Sequence, residues 1–148
     1  MVKLSLGRVG PAEAIEVARD VLKFLVIGPP IVHVAPRGEV HIDVPLMYQG
    51  FALDRVHFDP EAMAPSPKGR PVRARVRPPS EAEIREVMEE VLEGLVVLEG
   101  AEFREPEWCW AVPVAWEHMI IAHIKVSAET GEVVPDYGLT QEVMRHAE

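Results

Sequence analysis

The chain has 148 residues, a length that suits one compact domain or two small units sharing a core. Its apolar and charged fractions, 48% and 26%, are typical of a soluble globular protein and exclude a disordered one. The formal net charge of −9 disfavours nucleic-acid binding, which needs local positive charge, and no apolar run approaches the roughly 18 residues of a membrane span.

The amino-terminal sequence and the cysteine content indicate where in the cell the protein is located. The amino-terminal stretch MVKLSLGRVGPAEA lacks the apolar region of a secretory signal, and the single cysteine, Cys109, excludes an internal disulfide. We therefore predict a cytoplasmic protein. The 14 prolines stiffen the connections, which fits a thermostable protein.

The first predicted helix lies in the stretch PAEAIEVARDVLKFLVIG. Pro11 suits the first helical position, and Gly28 with the two prolines after it ends the helix. Its apolar residues fall on one face and are expected to be buried; they are Ala14, Ala18, Val21, Leu22 and Leu25.

The second predicted helix lies in SEAEIREVMEEVLEGLVVL. Ser80 and Glu83 have the spacing of a capping box, in which each side chain accepts a hydrogen bond from the other residue's backbone amide. The buried stripe is predicted to consist of Ile84, Val87, Met88, Val91, Leu92 and Leu95.

Two pairs of segments indicate an internal duplication. VARDVLKFLVI, from Val17, and VMEEVLEGLVV, from Val87, share five of eleven residues at an offset of 70. VPLMYQGFALDRVHF, from Val44, and VPVAWEHMIIAHIKV, from Val112, align at an offset of 68. These matches predict a first repeat over residues 1–69 and a second over residues 70–148.

Each repeat is predicted to contain a leading strand, a helix and an antiparallel hairpin. The leading strands are VKLSL and VRARV, and IVHVA is a further strand in the first repeat. The predicted fold is α+β, with two fused β-α-β-β repeats, an antiparallel sheet, two helices packed on one face and a pseudo-twofold axis. The pattern leaves open whether the repeats share one sheet or form two.

The first hairpin carries the candidate ligand-binding residues. Apolar and polar residues alternate, and a turn of odd length around Gln49-Gly50 would place the polar residues of both strands on one face. That face would gather Glu39, His41, Asp43, Arg55, His57 and Asp59, of which His41, Asp43, Arg55 and His57 are the candidates. Two imidazoles, a carboxylate and a guanidinium can perform acid–base chemistry or hold an anion. The alternative is a solvated face with cross-strand charge pairs.

The chain carries no catalytic or metal-binding motif such as HExxH or paired CxxC, and His-x-Asp alone is a weak ligand signal. We therefore predict no catalytic residue, no metal site and no cofactor.

The second hairpin differs because the row expected to face away from the helices is also largely apolar, so something must cover it. We predict self-association as a homodimer through this row, or coverage by the carboxyl-terminal segment LTQEVMRHA. The candidate interface residues are Cys109, Ala111, Pro113, Ala115, Met119, Ile121 and His123. Cys109 and His123 share the face, so a thiol–base pair is conceivable, whereas a small buried cysteine is the alternative.

VRARV presents a row of arginines, Arg73, Arg75 and Arg77. They could grip phosphate or a polyanion. Alternatively, their charge protects an edge strand and is neutralised by the acidic helix that begins at Glu81. We do not expect a nucleic-acid partner.

The segment from Glu81 to about Val134 resembles a PepSY-type unit, which has a helix, two strands and a closing V-D-A-x-T-G-E-V turn. Here the turn reads VSAETGEVV, with Ser127 where the family often has aspartate, and the first repeat has FDPEAMAPS, which keeps Asp59. The resemblance implies a helix packed on an antiparallel sheet and an inhibitory or regulatory role without catalytic residues. Such modules are usually extracytoplasmic.

Two hypotheses for function follow. The first is a non-enzymatic binding or assembly module that acts through a sheet face, with a protein or small-molecule partner. The second is a small enzyme, or a ligand- or metal-binding protein, that uses the polar residues of the first hairpin.

Overall fold

A computed structural model describes residues 9–147 and confirms the α+β class. The predicted strand VKLSL lies outside these residues. In chain order the elements are α1 Pro11–Leu22, β1 Val26–Ile27, β2 Ile31–Val34, β3 Val40–Tyr48, β4 Phe51–Asp59, β5 Ala64–Pro65, α2 Glu81–Glu93, β6 Val96–Val97, β7 Glu102–Arg104, β8 Cys109–Trp116, β9 Met119–Ser127 and α3 Tyr137–Ala147.

The strands form two antiparallel sheets, one in each half of the chain. In the first sheet β1 and β2 both pair with β3, which pairs with β4, and β4 with β5. In the second sheet β6 and β7 both pair with β8, which pairs with β9. The two sheets therefore share an order of elements, whereas the common origin of the halves stays a prediction.

The helices connect the two halves. Helix α1 lies against β6, β8 and β9 of the second sheet, and α2 lies against β1 and β5 of the first. The buried residues of both helices and both sheets belong to one apolar core. Each half thus supplies the helix that packs against the other half's sheet.

The capping box at the start of α2 is confirmed. The Ser80 hydroxyl accepts a hydrogen bond from the Glu83 amide at 3.1 Å, and the Glu83 carboxylate accepts one from the Ser80 amide at 2.9 Å. These two bonds satisfy amides that have no partner within the helix.

Both helices are shorter than the apolar pattern predicts. Residues 26–27 and 96–97 leave the helices and pair with β3 and β8, which suits their β-branched side chains. The Gly28 amide then donates to the Pro45 carbonyl at 2.9 Å. A Cβ atom at Gly28 would lie 2.9 Å from side-chain atoms of Pro45 and Met47, so this close approach requires glycine.

The turn of the first hairpin has two residues rather than an odd number. Gln49 and Gly50 both have positive φ, 49° and 85°, as two-residue hairpin turns require. The extra residue that the prediction placed in the turn is instead a β-bulge at Leu53. As a result Asp43 lies opposite His57, and the polar rows of β3 and β4 share one face as predicted.

The second hairpin repeats this geometry. Glu117 and His118 have positive φ, 46° and 71°, and the bulge lies at Ile121. Leu53 and Ile121 are 68 residues apart, the offset found by aligning the two sequences.

The prediction of a strand at VRARV is wrong. Within residues 72–76 only Ala74 forms a β-bridge, with Val40 at the start of β3. Prolines at positions 71, 78 and 79 lack the amide that a strand ladder needs, which limits pairing. The arginines of this segment are exposed, and none forms an ion pair with another described residue.

The carboxyl-terminal segment forms a helix but does not cover the second sheet. Helix α3 lies against β4 of the first sheet. Leu139 and Val143 pack with Ile31 and Ala52, and the Thr140 hydroxyl accepts a hydrogen bond from the Ala52 amide at 2.9 Å. Coverage of the second sheet by this segment, one of the two predicted alternatives, is therefore wrong.

Among the described residues, no helix has the length and hydropathy needed to cross a membrane. The cytoplasmic location stays a prediction.

Candidate functional site

The four candidate residues of the first hairpin lie together. Strand β3 places His41 and Asp43 on one face of the sheet, and β4 places Arg55 and His57 beside them, since Asp43 pairs with His57 and Pro45 with Arg55. We refer to His41, Asp43, Arg55 and His57 as the first-sheet cluster.

The cluster contains cross-strand pairs of Asp43 with Arg55 and His57, as the alternative prediction expected, but it is not a solvated sheet face. Asp43 is 2% exposed, and the other three side chains are partly buried. Helix α3 covers one side, and the segment around Val72 approaches the other. A buried carboxylate needs several compensating contacts.

Asp43 has such contacts at both carboxylate oxygens. His57 Nδ1 donates to Oδ1 at 2.8 Å, and Arg55 Nη1 donates to Oδ2 at 2.8 Å, with His41 Nε2 at 3.3 Å from Oδ2. Burial alone would raise the pKa of this carboxyl group. The hydrogen bonds from His57 and Arg55 and the nearby positive charge outweigh burial and hold the pKa below its ordinary value. Asp43 is therefore ionised at neutral pH.

The contacts of His41 determine which of its ring nitrogens carries hydrogen. Nδ1 lies 3.2 Å from the Val72 carbonyl oxygen. Because a carbonyl only accepts, Nδ1 must be the donor. In a neutral ring, Nε2 would then direct a lone pair at the ionised Asp43 carboxylate. Two acceptors at 3.3 Å repel each other, and a metal ion between Nε2 and the carboxylate would replace this repulsion with two attractive contacts.

Sequence reasoning missed two members of this site, Glu142 and His33. Glu142 projects from α3, and its Oε1 accepts from Arg55 Nη2 at 3.0 Å. His33 pairs with His41 across β2 and β3 and stacks on it, with ring centroids 6.2 Å apart. The predicted strand IVHVA could have placed His33 beside His41. Glu142 could not be found this way, because its position depends on where α3 docks.

Three residues of the cluster could hold a metal ion. One ligand atom from each of His41, Asp43 and His57 can be chosen so that all lie within 4.8 Å of one another. Ligands about 2.1 Å from a metal lie roughly 3.0–3.5 Å apart. His57 Nδ1 and His41 Nε2 lie 2.8 and 3.3 Å from different oxygens of Asp43, so an ion bound here would replace the hydrogen bond from His57. The sequence motifs alone predicted no such site.

The second sheet lacks the cluster. The residues 68 positions after its members are Cys109, Ala111, His123 and Lys125, so alanine replaces the central carboxylate. Lys125 instead forms an ion pair with Glu107.

The candidate interface residues do not form an exposed apolar face. Cys109, Ala111, Pro113, Ala115 and Ile121 are buried within the chain, and Met119 and His123 are partly buried. The two sheets meet where β4 contacts β9, and Asp54 accepts hydrogen bonds there from the His123 amide and the Lys68 ammonium, at 2.8 and 2.6 Å. Self-association stays a prediction, without an exposed row to support it.

The thiol–base pair is also not formed. Cys109 lies opposite Ser127 and His123 lies opposite Pro113, which separates them by about 13 Å at roughly 3.3 Å per residue. Burial, with a smaller effect of Glu107, raises the pKa of the Cys109 thiol, which disfavours the thiolate. Burial also lowers the pKa of His123, whose buried Nδ1 has no hydrogen-bond partner among the described residues. Cys109 is thus the small buried cysteine of the alternative prediction.

Comparison of the chain with protein-family models, with curated proteins and with solved structures gives no match. The resemblance to PepSY-type units therefore stays a prediction. In the structure Ser127 accepts hydrogen bonds from the amides of Glu129 and Thr130, the contacts that cap this closing turn.

Proposed function

We propose that this protein binds a divalent transition-metal ion through His41, Asp43 and His57 on the outer face of the first sheet. The observation that carries the proposal is the orientation of His41. Its Nδ1 is held by the Val72 carbonyl, and its Nε2 points at the Asp43 carboxylate. Metal-binding histidines commonly have this arrangement, in which one nitrogen donates to a carbonyl and the other binds the ion.

The donor set favours one class of ions. Two imidazole nitrogens and one carboxylate oxygen suit zinc, iron, nickel or copper, whereas calcium and magnesium prefer oxygen ligands alone. The small separation of the donor atoms allows one ion to reach all three. Binding would also place a cation between His41 and Asp43, where neutral imidazole and carboxylate repel each other.

Arg55 and Glu142 support the site without binding the ion. The Arg55 guanidinium contacts Asp43 and Glu142 at 2.8 and 3.0 Å and so fixes the carboxylate. With neutral histidines, two carboxylates and one guanidinium give the group a formal charge of −1, which favours capture of a dication. The guanidinium reduces this negative charge and helps to orient the Asp43 carboxylate, which is the metal ligand that it contacts.

The proposal places the protein in the binding class rather than the enzymatic one. The cluster combines metal ligands with an ion-pair network, and its central carboxylate is almost fully buried. A structural or sensory metal that ties β3 and β4 together near α3 agrees with this setting. Self-association and the regulatory role implied by the PepSY resemblance are compatible with it.

Zinc titration of untagged, chelator-treated protein by isothermal calorimetry at pH 7.5 tests the proposal. We expect one zinc ion per chain. His41→Ala and His57→Ala should each weaken binding by more than about a hundredfold, exceeding the 10–100-fold loss expected of the outer-shell variant Arg55→Gln. His118→Ala, in the exposed turn of the second hairpin, is the matched control and should bind like the unmodified protein.

Folded protein that binds no zinc, or binding that survives loss of both His41 and His57, would refute the metal site.

A further inference from the structure

We propose that a second site, separate from the first-sheet cluster, binds a small organic ammonium ion. The site is a cavity of about 480 Å³ bounded by three parts of the chain. Helix α1 contributes Val17 and Val21, the first hairpin contributes Tyr48 and Phe51 around its turn, and the segment after β9 contributes residues 131–137. The volume lies in the range of small-molecule sites, about 300–1,000 Å³.

Aromatic rings form much of the cavity wall. Phe51 and Tyr137 meet edge to face, with centroids 6.4 Å apart, and Tyr48 lies beside them. Tyr137 is 63% exposed and Phe51 is 45% exposed, although both rings have large apolar areas. Exposed aromatic rings at the rim of a cavity are suited to covering a ligand.

Among residues 9–147, the charged groups that line the cavity are both acidic. They are Asp20 on α1 and Glu132 in the segment after β9, and no lysine, arginine or histidine of these residues lines the cavity. Asp20 has one weak ion pair, with exposed Lys23 at 3.7 Å, and Glu132 has no ion-pair partner among residues 9–147. Both carboxylates are exposed, and both would attract a cation that enters the cavity.

This combination selects an organic ammonium over other ligands. The faces of aromatic rings attract cations within about 6 Å of the centroid, and carboxylates add to that attraction. An anion would be repelled by Asp20 and Glu132. A bare metal ion would lack nitrogen or further oxygen ligands and would leave the aromatic wall unused.

The fold itself does not require these groups. At positions offset by 68, Met119 replaces Phe51, Ala64 replaces Glu132 and Gly69 replaces Tyr137. The corresponding place between α2 and the second hairpin thus lacks the Glu132 carboxylate and two of the rings, although its hairpin has the same register.

The test is a titration followed by amide chemical shifts, with choline as the probe and 3,3-dimethyl-1-butanol, a neutral molecule of similar shape, as its partner. We expect saturable shifts from choline at residues 17–21, 48–53 and 131–137, and binding of the neutral molecule at least about fivefold weaker. Glu132→Gln and Tyr137→Leu should each weaken choline binding about threefold or more.

Glu129→Gln, an exposed carboxylate of the same turn that does not line the cavity, is the control and should leave choline affinity unchanged. The same spectra show whether each variant is folded. No saturable shift at 50 mM choline (roughly ten times the weakest affinity expected of such a site), equal binding of the neutral molecule, or unchanged affinity in both variants would overturn the proposal.

Discussion

Asp43 is the residue on which the first-sheet cluster depends. It accepts hydrogen bonds from His57 and Arg55 and lies close to His41, while the equivalent position in the second sheet is Ala111. The two hairpins are otherwise similar, but the first has a carboxylate and a polar site where the second has alanine on an apolar strand. Asp54, which pairs with core-facing Leu46 on the opposite face, joins the two halves by accepting a hydrogen bond from the His123 amide, and it also forms an ion pair with Lys68.

The ionisation of Asp43 should make stability depend on acidic pH. Its pKa is lower in the folded chain than in the unfolded chain, so its contribution is fully present above the unfolded pKa of about 4 and is lost as pH falls through the folded pKa. Urea unfolding with chelator present should show the unmodified protein more stable than Asp43→Asn at pH 7. The difference should shrink steadily between about pH 5 and pH 2. A difference that stays constant down to pH 2 would show that packing, and not charge, makes the variant unstable.

At the scale of elements, each long hairpin combines a two-residue turn with one bulge. The turn alone would place the polar residues of β3 and β4 on opposite faces, and the bulge at Leu53 restores them to one face. The second structural element of the site is α3, which brings Glu142 to Arg55. Its docking is set by Leu139, Thr140 and Val143 against β2 and β4.

Leu139→Ala should therefore destabilise the protein by about 2–4 kcal/mol, because Leu139 is 1% exposed and its loss leaves a cavity under α3. Met144→Ala on the same helix, where the side chain is 58% exposed, should change stability by less than about 0.5 kcal/mol. Urea unfolding monitored by circular dichroism measures both. Equal effects of the two substitutions would show that α3 does not dock through Leu139.

The sequence was informative where a local pattern determines the structure. Alternation along β3 and β4, with one extra residue placed in the turn, predicted that His41, Asp43, Arg55 and His57 share a face; the face is correct, but the extra residue is the bulge at Leu53. The spacing of Ser80 and Glu83 predicted the cap of α2. Residues 26–27 were assigned to a helix, because a short apolar run suits either state until its partner strand is known. The docking of α3 and the position of Glu142 depend on contacts between segments far apart in the chain, which periodicity does not encode.

At the scale of the whole molecule, the two halves exchange helices. Ala14, Ala18 and Val21 of α1 are buried in a core shared with the second sheet, while Ile84 and Met88 of α2 belong to the same core. If either half is removed, the sheet of the remaining half loses the helix that packs against it. The cavity and the first-sheet cluster therefore both depend on the complete chain.

Residues 1–79 expressed alone should fail to fold cooperatively, since the apolar face of α1 would have no second sheet to cover. We expect a narrow range of amide proton shifts and no sigmoidal unfolding. Mixing with residues 80–148 should restore the dispersed spectrum of the intact chain. A cooperative unfolding transition of the isolated fragment would contradict the shared core.

The most direct measurement of the metal site is anomalous diffraction at the zinc edge from crystals grown with zinc. The proposal predicts one peak about 2.0–2.2 Å from His41 Nε2, a ring nitrogen of His57 and an Asp43 oxygen, with His41 Nδ1 still bonded to the Val72 carbonyl. Well-ordered His41 and Asp43 side chains with no anomalous peak between them, at a zinc concentration that labels other surface histidines, would contradict the proposed function.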